Sequence, residues 1–136
     1  MAQLDYYLFI YSESLAPGSG IPLGVIAHDG RNALVRAIGL SDNWDIDLAP
    51  YKALSGRASA LAWVYETWLV TFKEVIGETR NDPAGFERVV QELGSNPVGF
   101  SVLKDGYIEV PDDGTPEGAV DHLFRELVIP FFPALA

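Results

Sequence analysis

Few side chains in this 136-residue chain are of a type and spacing that could do chemistry. His28 and His122 are its two histidines, each next to an aspartate, Asp29 and Asp121. Two histidines and a carboxylate can hold zinc. These two lie far apart in the chain and neither has a histidine four residues on, so no metal site is assigned. His122, Asp121 and a serine can be composed into a nucleophilic triad on paper, but no serine sits in a Gly-x-Ser-x-Gly elbow. With no cysteine there is no disulfide, thiolate zinc site or cysteine nucleophile. Gly18-Ser19-Gly20 has the look of a phosphate cradle. A cradle must open a helix whose amides face the anion, whereas this loop enters a strand and no lysine follows. Asp42, Asp45 and Asp47 fit no calcium-loop frame: counted from Asp42 the third position is Trp44 and the twelfth Ala53, and counted from Asp45 the sixth is Pro50. The segment reads as a solvated acidic loop. No catalytic residue, metal or cofactor is therefore assigned.

The remaining chemistry is that of binding. Nine Lys and Arg against 19 Asp and Glu give a net charge of −10, the wrong sign for a nucleic-acid binder. Between Lys104 and Glu126 there are seven acids and two bases. Within that stretch Asp112, Asp113 and Glu117 are the residues expected to steer a basic partner. The C-terminal tail carries Ile129, Phe131, Phe132 and Leu135, with no charged side chain after Glu126. Pro130 and Pro133 predict an extended tail without a helix. Two Phe rings left in water would expose a costly apolar patch, so the tail is expected to dock on its own sheet, on a second copy or on a partner. Phe131 and Phe132 complete the predicted protein-binding set.

The elements that position these residues follow from periodicity. Tyr6 to Ser12 is apolar on both alternating faces, which predicts a central strand covered on both sides. Ile21 to His28 and Ala33 to Gly39 are two more strands, joined by a turn at Asp29-Gly30 that predicts antiparallel pairing. Arg57 to Ile76 predicts a helix on the stripe Leu61, Val64, Trp68, Phe72 and Val75, stopped by Gly77. Trp63, about 140° around the helix from Trp68, is expected on a second surface. Asp82 caps a second helix with Pro83 in its first position, Phe86, Val89, Val90 and Leu93 inward, and Gly94 at its end. Phe100 to Lys104 and Tyr107 to Val110 predict two short strands around an Asp105-Gly106 hairpin. Thr115 and Pro116 start the last helix, with Val120, Leu123, Phe124 and Leu127 inward. The order β-β-β-α-α-β-β-α predicts an α+β fold: a mostly antiparallel sheet of about five strands with helices packed on one face. No linker divides the chain, so residues 1–136 are read as a single globular domain.

The opening stretch YYLFIYSESLAPGSGIPLGVIAHDG resembles the N-terminus of a small bacterial family known only as a domain of unknown function. In that family the first strand is followed by an Asn-x-Gly-Val strand and a hairpin return. Gly24 and Val25 match; Pro22 and Leu23 stand where the family has a polar residue. The closing stretch resembles the family's acidic helix start and leucine-phenylalanine helix, with Asp113, Pro116, Leu123, Phe124 and Val128 matching. The resemblance implies a bacterial cytoplasmic protein and a gene neighbourhood of kinase-like, toxin–antitoxin type. It implies no activity.

The N-terminus lacks a basic region, and the uncharged run Ala58 to Tyr65 is far short of a membrane span, so the cytoplasm is the expected location. The expected function is that of a non-enzymatic accessory or regulatory protein, antitoxin-, immunity- or inhibitor-like. It would act on a protein partner, without direct nucleic-acid or membrane binding, and could form a homo-oligomer through its tail. The alternatives are an acidic DNA mimic that inhibits a nucleic-acid enzyme, with acids spaced like phosphates along one ridge, and a small enzyme with a titratable pair in a pocket.

Overall fold

The structure is a computed structural model that describes residues 2–12, 20–54, 60–94 and 99–132. Gly18 and Ser19 of the 18–20 loop, the helix start expected at Arg57, and the tail residues Pro133 and Leu135 lie outside the described residues. The strands are β1 (Ala2–Ser12), β2 (Ile21–His28), β3 (Ala33–Ala37) and β4 (Gly99–Val110). The helices are α1 (Ala49–Lys52), α2 (Ala62–Glu78), α3 (Pro83–Leu93) and α4 (Pro116–Leu127). The fold is α+β, with one antiparallel sheet in the order β3-β2-β1-β4.

The sheet has four strands where about five were expected. Residues 99–110 form one continuous strand paired with β1 from Ala2 opposite Val110 to Ser12 opposite Gly99. Asp105-Gly106 is a bulge, not a hairpin. Tyr6 pairs with Gly106 and Tyr7 with Lys104, which leaves Asp105 as the extra residue. The Tyr6 hydroxyl donates to Asp105 at 2.8 Å, and the Tyr6 ring lies over the bare Gly106 backbone. A turn signal is local, whereas pairing along the whole of β1 satisfies far more backbone hydrogen bonds, and the longer ladder prevails.

The helices cover both faces, not one. On β1, Tyr7 meets Phe86 of α3, and Phe9 meets Tyr65, Trp68 and Phe72 of α2. On β3, Arg36 points the other way and bonds Asp121 of α4. Successive side chains of a strand alternate between faces, so α2 and α3 lie on one side and α4 on the other. The unbroken buried run Leu23 to Ala27 on β2 is the mark of a strand covered twice. Central placement of β1 agrees with its sequence pattern.

Phe9 is fully buried and stands at the centre of the aromatic core. Its ring centroid lies 4.9 Å from that of Phe72, 5.3 Å from Trp68, and 5.8 Å from both Tyr65 and Phe100. Tyr51 of α1 stacks on Tyr65 at 4.2 Å, and the Tyr65 hydroxyl donates to the Ile38 carbonyl. The buried face of α2 is Ala62, Tyr65, Leu69, Phe72 and Val75, with Trp68 half-buried beside it. Trp63 is 72% exposed, on the opposite surface. The helix runs past Gly77, because one exposed glycine near a helix end costs only about 1 kcal/mol. It ends at Thr79, whose hydroxyl and N–H both bond the Val75 carbonyl. Helix α3 begins as expected, with Asp82 accepting from Gly85 N–H at 3.0 Å, and α4 with Thr115 accepting from Gly118 N–H at 3.0 Å.

The described part of the tail, through Phe132, is not extended. Ile129–Phe131 forms a 3-10 turn, closed by Phe131 N–H to Val128 O and Phe132 N–H to Ile129 O. Pro130 is tolerated because it falls in the first turn, where an N–H has no helical partner. Among the described residues no helix is long and apolar enough to cross a membrane.

Phe9→Ala should destabilise the protein by about 3–5 kcal/mol, the usual loss for a large core aromatic. Trp63→Ala should stay within about 0.5 kcal/mol, as exposed substitutions do. Urea unfolding of both variants checks this, and equal losses would refute the assignment of the α2 faces.

Burial pushes the Tyr6 hydroxyl up to about 12, aided by its hydrogen bond to Asp105 and by that residue's charge. Burial also pushes Tyr51 up to about 12 and raises Tyr65. A phenol that ionises near 10 unfolded and higher when folded leaves stability intact below the first value and removes it above. The urea midpoint should therefore fall between pH about 10 and pH about 12. Tyr6→Phe should flatten that fall, and an unchanged slope would contradict the buried hydroxyl's role.

Candidate functional site

A cleft of about 540 Å³ opens between β3, the turn at residues 41–45 and the first two turns of α4. Leu34, Arg36, Asp42, Trp44, Glu117 and Asp121 line it. Three local features build it. Gly39 has φ +79°, and a Cβ there would collide with the Asp47 carbonyl; only glycine lets Asp47 N–H reach the Gly39 carbonyl at 2.7 Å. That bond and the Leu40–Ile46 bridge close the base of the 40–46 loop. Inside the loop, Ser41 Oγ accepts from Asp45 N–H at 3.0 Å and from Asn43 N–H at 3.3 Å. Trp44 N–H bonds the Ser41 carbonyl at 3.0 Å. Trp44 itself has φ +65°, a left-handed conformation that costs a bulky residue about 1–2 kcal/mol.

Arg36 is the charged centre of the cleft. Its guanidinium pairs with Asp42 and, at 2.7 Å, with Asp121. Asp121 also receives Arg125 at 2.9 Å, one turn along α4. Burial works against the charge on Arg36, but the hydrogen bond to Asp121 and the nearby Asp42 outweigh it and hold its pKa above the ordinary value. The lining therefore carries one arginine, already doubly paired, and three carboxylates: Asp42, Glu117 and Asp121.

Of the residues chosen from the sequence, Glu117 stands exposed in the first turn of α4, at the cleft. Asp112 and Asp113 lie exposed on the turn that leads into that helix, closed by Gly114 N–H to Pro111 O at 2.9 Å. The structure thus gathers the three acids at one end of α4. It separates the two tail aromatics: Phe132 is buried against the chain's own core at 6% exposure, and Phe131 is 51% exposed. The histidines lie on opposite sides of the sheet. His28 rests against Phe86 and is bonded at both nitrogens, accepting from Gly30 N–H at 2.9 Å and reaching the Thr79 carbonyl at 3.2 Å, while His122 is exposed on α4. Of the loop acids, Asp42 pairs with Arg36, and Asp47 Oδ1 accepts from Ala49 N–H at 3.0 Å just ahead of α1.

Arg36 and Trp44 were missed from the sequence. A signal existed for Arg36: a lone arginine inside the strand ALVRA must find carboxylates on the face it occupies. Nothing in the sequence marks Trp44, whose backbone conformation is set by the loop closure around it.

No protein-family model, curated protein or solved structure matches the chain. The resemblance to the bacterial family rests on the residues quoted for it alone.

Arg36→Met should cost about 1–3 kcal/mol, since it strips charge-assisted hydrogen bonds from Asp42 and Asp121. Trp44→Asn relieves the left-handed backbone and should leave stability within about 1 kcal/mol of the parent. Thermal or urea unfolding checks both. A Trp44→Asn loss as large as that of a core aromatic would make Trp44 a packing residue and not a wall of the cleft.

Proposed function

We propose that the protein is a non-enzymatic accessory or regulatory protein of the cytoplasm that binds a basic region of another protein. One observation supports this above the others: the cleft's single lining arginine is spent on its own carboxylates, so the surface from the 112–113 turn to the cleft is acidic. Such a surface attracts a cationic partner and speeds encounter more than it tightens the final complex. Phe131, half-exposed beyond α4, is an apolar anchor that such a complex could cover. A DNA mimic would be better served by an uninterrupted acidic ridge; here Arg36 and Arg125 are interleaved with the acids. An antitoxin-, immunity- or inhibitor-like role is the form of binding proposed.

The test is affinity capture from the native host with the parent protein and with a variant carrying Asp112→Asn, Asp113→Asn and Glu117→Gln. A basic protein should be retained by the parent, with an association rate that falls as salt rises over the usual screening range. The triple variant should fold normally and associate about tenfold more slowly at low salt. An equal rate for both proteins would refute the acidic surface as the binding face.

A further inference from the structure

The walls of the cleft differ in chemistry, and together they select one kind of occupant. Its floor is apolar, with Leu34 and Val120 among the lining residues, and Trp44 supplies an aromatic surface. Its polar rim is anionic: Asp42 and Glu117 are exposed, and Asp121 is two-thirds or more covered. An incoming anion would have to displace Asp42 or Asp121 from Arg36 and then face the carboxylate it displaced. A neutral apolar ligand would cover those carboxylates and return nothing to them. A cation carried on an apolar stem suits the rest of the lining, with its methylenes on the apolar floor, its charge at Glu117 and at Asp42, which it would share with Arg36, and its face against the indole. A planar guanidinium does this better than an ammonium, because it stacks and can hold a carboxylate through two parallel bonds. The volume, about 540 Å³, lies within the range of small-ligand pockets.

We propose that the cleft formed by β3, the 41–45 turn and α4 is the pocket for an arginine side chain of the partner protein, held by Asp42 and Glu117 and stacked on Trp44. This rests on the protein-binding reading above and adds to it a defined anchor site, distinct from the general attraction of the 112–113 turn.

The experiment titrates the full-length protein with N-acetyl-arginine methylamide and follows the tryptophan indole N–H signals by NMR, with the Trp44 signal assigned from Trp44→Phe. The expected result is a saturable shift of the Trp44 signal while those of Trp63 and Trp68 stay still. N-acetyl-norleucine methylamide, of similar stem without the charge, should bind at least about tenfold more weakly, a difference of about 1.4 kcal/mol. The double variant Asp42→Asn, Glu117→Gln, checked for its fold by circular dichroism, should lose the shift. No shift with the arginine compound, an equal shift with the norleucine compound, or a shift with inorganic phosphate in its place would each overturn the pocket. The two readings fail differently. A basic partner that is sensitive to Asp112→Asn and Asp113→Asn but indifferent to the Asp42, Glu117 double variant overturns the pocket and leaves the acidic face standing. Loss of all partner binding specificity with an intact arginine shift does the reverse.

Discussion

The packing of the Phe9 ring holds the rest of the molecule in place. It projects from a central strand and touches three residues of α2, Tyr65, Trp68 and Phe72, together with Phe100 of β4. Aromatic faces and edges attract at defined geometries, so this cluster fixes the position of α2 along the sheet as well as burying area. The residue opposite Phe9 on β2 is Gly24. A Cβ there would lie 2.7 Å from the Arg36 carbonyl and 3.0 Å from the Ala37 Cβ, so the missing side chain lets the β3 backbone close up at the foot of the cleft. The aromatic core and the placement of Arg36 are thus two sides of one strand pairing.

On the far side of the sheet the dominant force changes from burial to charge. Arg36 leaves an otherwise apolar strand and is held by carboxylates from two elements that are distant in sequence, the 41–45 turn and α4. Asp121 is shared with Arg125, so one half-buried carboxylate orients both bases. A pair of this kind adds little net stability after desolvation is counted. Its effect is geometric: it sets the distance between the turn and α4, and hence the width of the cleft.

The large negative charge divides by use. Asp29, Asp47 and Asp82 accept backbone N–H groups at turns and helix starts. Asp42 and Asp121 neutralise Arg36, and Asp105 anchors the bulge through Tyr6. Asp113 and Glu117 stand outward at the start of α4, with Asp112 beside them. A net charge read from composition mixes these roles, and the last group stands at the end of α4 beside the cleft, where it can attract another molecule from a distance.

Local signals in the sequence determined much of the fold. The alternation of β1 marks a strand buried on both faces; Asp82-Pro83 and Thr115-Pro116 mark helix starts; and the β2–β3 turn at Asp29-Gly30 follows from residues next to one another. Each of these depends on interactions within a few residues, which the chain makes wherever it lies. Tertiary structure decided what depends on distant partners. Asp105-Gly106 is a turn by its own chemistry and a bulge because β1 offers a longer ladder. Helices cover both faces because the chain returns across the sheet at α4, and no periodicity records on which side a helix lands. Glu117 was legible as an exposed acid in a first helical turn, but its place at a cleft was not. Arg36, Asp42, Trp44 and Asp121 become one site only when a strand, a loop and a helix meet, because charge and shape complementarity between segments far apart in sequence leaves no pattern in either segment alone.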